Sequence, residues 1–139
     1  IMSIESKIED VLKLMKSDEQ PTLNLLIEFA KNKPAICTND RILEHKISGC
    51  SADAWLVCRK KNGLIELQTD SESMIVKGIM GLMEQVYSGS TPDEIISHPP
   101  VFLQSLGINQ HLSANRRIGI GKVWGEIKDF TLNLASANP

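Results

Sequence analysis

The dipeptide Asn62-Gly63 constrains this chain more than any other pair of residues. It ends the stretch KKNG, which separates two apolar-rich runs, 54–59 and 64–69. Asn-Gly supplies two neighbouring positions that tolerate positive φ, the requirement of a two-residue turn whose twist matches antiparallel strands. The two runs are therefore expected to pair as a hairpin, with 46–48 as a short preceding strand. A sheet of three short strands is not independently stable without a covered face, so helices must pack on it.

The rest of the sequence supplies those helices. Ile4, Ile8, Val11, Leu12 and Met15 recur at helical spacing, with Ser6 and Glu9 as one capping box and Ser3 as an earlier start. Pro21 opens a second helix carrying Leu25, Leu26, Phe29 and Ala30, and Pro34 stops it. The stretch 33–44 shows no periodicity and reads as an ordered loop with a helical turn near Asp40. Beyond Asp70 and Ser71, either able to cap, a long helix runs to Tyr87 with Ile75, Ile79, Leu82, Met83 and Val86 inward. Gly78 and Gly81 within it are expected to allow close packing against the sheet. Thr91-Pro92-Asp93-Glu94 combines an N-cap oxygen, proline at the first helical position and an acid at the third. Pro99 and Pro100 end that helix, and a short segment through Phe102, Leu103 and Leu106 stops at Gly107. Ser113 caps a last helix with Ile120, Val123, Trp124, Ile127 and Leu134 on its apolar side. The order of elements gives an α+β class, a small antiparallel sheet packed by helices, in one domain over 1–139.

Charge and composition exclude whole classes of function. The formal charge of −2 offers no positive field for a general nucleic-acid binder. No apolar run reaches the roughly 18 residues that a membrane span needs, and the amino end lacks a secretory leader pattern. Three cysteines without close pairs argue against a disulfide scaffold and suit a reducing, cytoplasmic setting.

Chemistry then narrows to the cysteines and one arginine pair. Gly49-Cys50-Ser51 joins two strand-like pieces, where glycine permits a tight backbone and Ser51 and Asp53 favour a turn. His45 and Lys46 nearby could favour a Cys50 thiolate, the reactive form; the alternative is a small apolar residue filling a turn. Cys58 shares strand parity with Ala54 and Leu56 and reads as a core or sheet-face residue, while Cys37 lies in the irregular stretch. Spacings of thirteen residues from Cys37 to Cys50 and eight from Cys50 to Cys58 lack the close ligand pair of structural zinc. Arg116 and Arg117 fall on the early turns of the last helix, where a positive charge opposes the dipole and invites an anionic partner. An arginine there could also lower a thiol's pKa through space. His111 reads as capping or packing, Asp70 as a cap, and Lys77 as an exposed helical lysine. Gly119 and Gly121 follow no strand, which rejects a dinucleotide fingerprint.

An ordered set of segments resembles the SufE sulfur-acceptor family, which includes the CsdE proteins. It comprises IEF before Pro34, ISGC at 47–50, AWLV at 54–57, LQTDSESMIVKG at 67–78, VYSGSTPDEI at 86–95 and HLSANRRIG at 111–119. The resemblance implies a fold shared with iron–sulfur scaffold proteins of the IscU-like kind. It implies that Cys50 is the persulfide-forming nucleophile and that Arg116 supplies positioning or electrostatic support. Asp70 matches the acid that opens the long helix, and His111 and Gly119 match structural positions of the terminal motif.

The implied role is that of a carrier and stimulator rather than an autonomous enzyme. A SufS- or CsdA-like cysteine desulfurase would hold sulfur as a persulfide, using its own pyridoxal phosphate. Cys50 would accept that sulfur and deliver it to an iron–sulfur cluster scaffold, with no intrinsic cofactor or metal required. Self-association as a homodimer is left open. Two other roles compete: a metal-binding iron–sulfur scaffold, and an inactive module that only binds a desulfurase. The chain departs from the family at Ser51, where glutamine is common, and at Ala114 and Asn115, where proline and serine precede the arginine.

Overall fold

The computed structural model describes residues 2–47 and 52–137. Helix α1 (Ile4–Leu14) starts at the earlier of the two candidate caps: the Ser3 hydroxyl accepts from the Ser6 amide at 3.2 Å. Helix α2 (Thr22–Asn32) follows Pro21 and buries Leu26 and Ala30. The stretch after it is irregular, as its lack of periodicity predicts, and contains two 3-10 turns, Thr38–Asp40 and Leu43–His45.

Strands β1 (Ala54–Lys61) and β2 (Leu64–Ser71) pair antiparallel. The register sets Trp55 opposite Asp70 and runs out to Lys61 opposite Leu64. The turn is the one the sequence demands, with Asn62 at φ 55° and Gly63 at φ 80°. The expected third strand is reduced to one bridge, Lys46 to Trp55, with the Ile47 amide donating to the Ala54 carbonyl at 2.9 Å. The 3-10 turn immediately before Lys46 curls the chain, so no extended run precedes the bridge.

Helix α3 (Met74–Tyr87) is the centre of the molecule. Nine of its residues are buried, because it packs on α1, α2, β2 and the last helix, α6 (Ala114–Ala137), together. Its cap is Ser73, whose hydroxyl accepts from the Val76 amide, and neither Asp70 nor Ser71 takes that position. Gly78 and Gly81 meet α2 rather than the sheet: β-carbons there would press on Leu26, and on Phe29 and Lys33. Helix α4 (Pro92–Ile96) carries the full capping box between Thr91 and Glu94. Helix α5 (Val101–Ser105) ends before Gly107, which adopts φ 68°. A 3-10 turn, Ile108–His111, then leads into α6.

Few aromatics are available, and they are concentrated. Tyr87 is fully buried, donates its hydroxyl to the His98 carbonyl at 2.7 Å, and packs on Phe102 and Trp124. Ile120, Val123 and Ile127 of α6 close the same core, with Trp124 half-buried beside them. The Leu134 side chain lies outside the described set.

Candidate functional site

The segment 48–51, with Cys50, lies outside the described residues, and its two flanks meet in a neck. On the upstream side Lys46 and Ile47 pair with Trp55 and Ala54. The Lys46 ammonium also meets the Asp53 carboxylate at 2.8 Å across the same neck. That hydrogen bond holds the Lys46 pKa above the ordinary lysine value. On the downstream side the Asp53 carbonyl accepts twice, from the Ser71 hydroxyl at 2.8 Å and the Glu72 amide at 3.0 Å. The start of α3 is thereby fixed beside the neck.

Ala52 opens onto an apolar cleft that it lines with Val76, Arg116, Gly119, Ile120 and Val123. Val76 sits in the first turn of α3 and Arg116 in the first turn of α6. Two helix amino ends, each with partial positive charge, therefore border the residue that follows the cysteine segment. Arg116 is half-buried on the cleft wall, and its amide is capped by the Ser113 hydroxyl at 3.3 Å. Arg117 points elsewhere: its guanidinium donates to the Leu112 carbonyl at 2.8 Å, so main-chain oxygen offsets its unfavourable place at the helix start. Among the described residues neither arginine makes an ion pair.

Behind the neck lies a polar cluster that local pattern reading misses. Asp70 is not a helix cap but a buried carboxylate near the end of β2. Its Oδ2 accepts from the Ile36 amide at 3.0 Å and from Arg41 at 2.7 Å, and its Oδ1 accepts from the Ser71 amide at 2.9 Å. Lys77 adds a longer contact at 3.8 Å and is mostly buried, contrary to its reading as an exposed helical lysine. Burial alone would raise the Asp70 pKa, but the Arg41 hydrogen bond and the two amides outweigh it and hold the carboxyl below its usual range. The Arg41 guanidinium simultaneously stacks over the Trp55 ring at 4.6 Å. Twenty-nine residues separate Arg41 from Asp70, and no periodicity links them.

The remaining candidates fall away from this region or are muted. Cys37 is exposed, and Cys58 is half-buried on the sheet, its thiol pushed up to about 12 by burial and by Glu126. A thiol so protonated is a poor nucleophile. His111 is exposed at the end of its 3-10 turn, and Gly119 lines the cleft wall. Among the described residues no three His, Cys, Asp or Glu side chains are grouped to hold a metal ion. Nor, among them, is any helix long and apolar enough to cross a membrane.

A helix-backed antiparallel hairpin, its neck held at the start of the central helix, defines a compact α+β class of domain. The chain belongs to the SufE family, whose model, described as the Fe-S metabolism associated domain, matches residues 6–131. In fold it is similar to a hypothetical protein from Thermus thermophilus known from a solution structure. That likeness has a TM-score of 0.75 at 17% identity, covering 94% of this chain and 96% of the other. Family membership gives the role: a sulfur acceptor and carrier that assists a cysteine desulfurase in iron–sulfur cluster assembly. Its functional partners are accordingly the desulfurase and the iron–sulfur scaffold machinery.

Proposed function

We propose that Cys50 is the atom-level seat of this role and that Arg116 supports it electrostatically. The observation that carries the reading is the shared cleft: Ala52, two residues after Cys50 in the chain, lines it together with Arg116. A guanidinium and two helix amino ends near an acceptor thiol favour its thiolate form.

The transfer is a thiol–persulfide exchange. The Cys50 thiolate attacks the terminal sulfur of the persulfide on a SufS- or CsdA-like desulfurase. A new S–S bond forms on Cys50 as the partner's S–S bond breaks, and the electron pair leaves with the partner's thiolate. The proton of the terminal sulfhydryl travels with the transferred sulfur, and no external oxidant or reductant is consumed. Reversal of the same step onto an acceptor thiol of the scaffold machinery would complete delivery. Rate in such exchange depends on thiolate fraction, nucleophilicity and access. We place this chemistry in the cytoplasm, where a reducing milieu keeps a free acceptor thiol available.

The test is kinetic. Cys50→Ser is expected to abolish sulfur loading and stimulation of the desulfurase. Arg116→Ala is expected to slow loading and to move its pH profile upward, since removing a nearby cation raises a thiol's pKa. Arg116→Lys should retain part of the effect. An unchanged rate and pH profile in Arg116→Ala overturns the role given to Arg116, and persistent stimulation by Cys50→Ser overturns that given to Cys50.

A further inference from the structure

Trp55 and Asp70 are register partners, so their side chains stand on one face of the hairpin. Arg41 covers both, ion-paired to the carboxylate at 2.7 Å and stacked on the indole at 4.6 Å. Arg41 belongs to the irregular arm that leads into Lys46 and Ile47, the upstream side of the neck. The last residue of β2 and the one after it, Ser71 and Glu72, grip the Asp53 carbonyl on the downstream side. Three consecutive residues, Asp70 to Glu72, thus hold both arms from which the segment with Cys50 departs.

We propose that Asp70, acting through Arg41 and with Ser71, is a positioning residue for sulfur transfer, fixing the spacing and direction of the two arms that present Cys50. This rests on the assignment of Cys50 as the acceptor. The asymmetry of the pair fits the task. Asp70 is 1% exposed and Arg41 33%, so a rigid buried anchor holds a partly open lever on the surface arm. The planar guanidinium can bind the carboxylate and stack on Trp55 at once, which an ammonium cannot do as well. A bare structural ion pair would matter to stability alone; a positioning pair sets how often the nucleophile is aligned when the donor sulfur arrives.

The experiment measures single-turnover sulfur transfer from a persulfide-loaded desulfurase to the metal-free protein, varying carrier concentration. Wild type, Arg41→Ala, Arg41→Lys and Ser71→Ala are compared, with thermal melting of each to confirm folding. Arg41→Ala is the informative variant, because Asp70 keeps its Ile36 and Ser71 amides and Lys77. The saturating rate is expected to fall about tenfold in Arg41→Ala and less in Ser71→Ala and Arg41→Lys. The half-saturating concentration should stay within about twofold, since alignment rather than docking is lost. Alkylation of Cys50 in the free protein should change in rate while that of Cys37 does not. A folded Arg41→Ala with the wild-type saturating rate, or a loss confined to the half-saturating concentration, overturns the proposal. Wild-type protein that gains no sulfur at position 50 overturns the acceptor assignment itself, and the positioning role with it.

Discussion

Gly78 of α3 lies so close to α2 that a β-carbon there would stand 2.8 Å from both the Leu26 Cγ and the Leu26 carbonyl oxygen. A side chain can rotate away, but the carbonyl can retreat only if the backbone of α2 moves. Gly78→Ala would gain about 1 kcal/mol of helix propensity. Overpacking at a backbone contact costs about 1–3 kcal/mol, and with α2 held in place by the core the upper end applies. Net destabilisation of about 1–2 kcal/mol is expected from chemical unfolding. Gly81→Ala should cost less, because its neighbours are the Phe29 ring edge and the flexible Lys33 stem. Equal or reversed costs would contradict the packing described for α2 on α3.

The Asp70 carboxylate gives the fold an acid-sensitive element with a definite sign. Its folded-state pKa lies below the ordinary value because Arg41 and two amides favour the charged form. A depressed carboxyl pKa contributes stability that is complete above the unfolded value of about 3.9 and is lost as pH falls through the folded value. Asp70→Asn should therefore cost about 1.5–3 kcal/mol near neutrality, the range for losing a hydrogen bond to a charged group, because the Arg41 left behind is one-third exposed and can turn to water. The gap between wild type and variant should narrow as pH drops below about 4. Denaturant midpoints measured across that range check both parts, and a gap that stays constant would contradict the assignment.

Cys58 sets a prediction about selectivity among thiols. With its pKa pushed up to about 12, mainly by burial, almost none of it is thiolate at neutral pH. Brief alkylation of the folded protein should mark exposed Cys37 and leave Cys58 intact until denaturant is added. Cys58→Ala should load sulfur at the wild-type rate. Rapid modification of Cys58 in the native state, read by peptide mass, would contradict its placement on the packed sheet.

What is legible in the sequence follows from the range of the physics involved. The Asn62-Gly63 turn, the Thr91–Glu94 capping box and the stop at Gly107 are local, and each is present as its residues require. The apolar stripe of α3 is legible only in part: Ile79, Leu82, Met83 and Val86 are buried as expected, but Ile75 is half-buried, and burial runs unbroken from Gly78 to Met83 because several elements pack around the helix. The misses are relations across the chain. Gly78 packs on α2 instead of the sheet, because a glycine announces close approach without naming its neighbour. Lys77 and Asp70 read as a surface lysine and a helix cap because their partners lie elsewhere: Arg41 is far upstream, and Asp70 itself sits in β2 rather than at the helix start. The third strand shrinks to a bridge because a 3-10 turn, invisible to alternation, occupies the residues before Lys46. The roles proposed for Cys50 and Arg116 start from the family resemblance, and the geometry adds only the cleft that Arg116 shares with Ala52.

The most direct measurement is the position of the transferred sulfur. Metal-free protein is incubated with a cysteine desulfurase and free cysteine, thiols are trapped, and the digest is searched by mass for peptides carrying extra sulfur. One added sulfur on the peptide containing Cys50, absent from those containing Cys37 and Cys58, is the predicted result. Desulfurase turnover with position 50 unmodified, or with sulfur on another cysteine, contradicts the account.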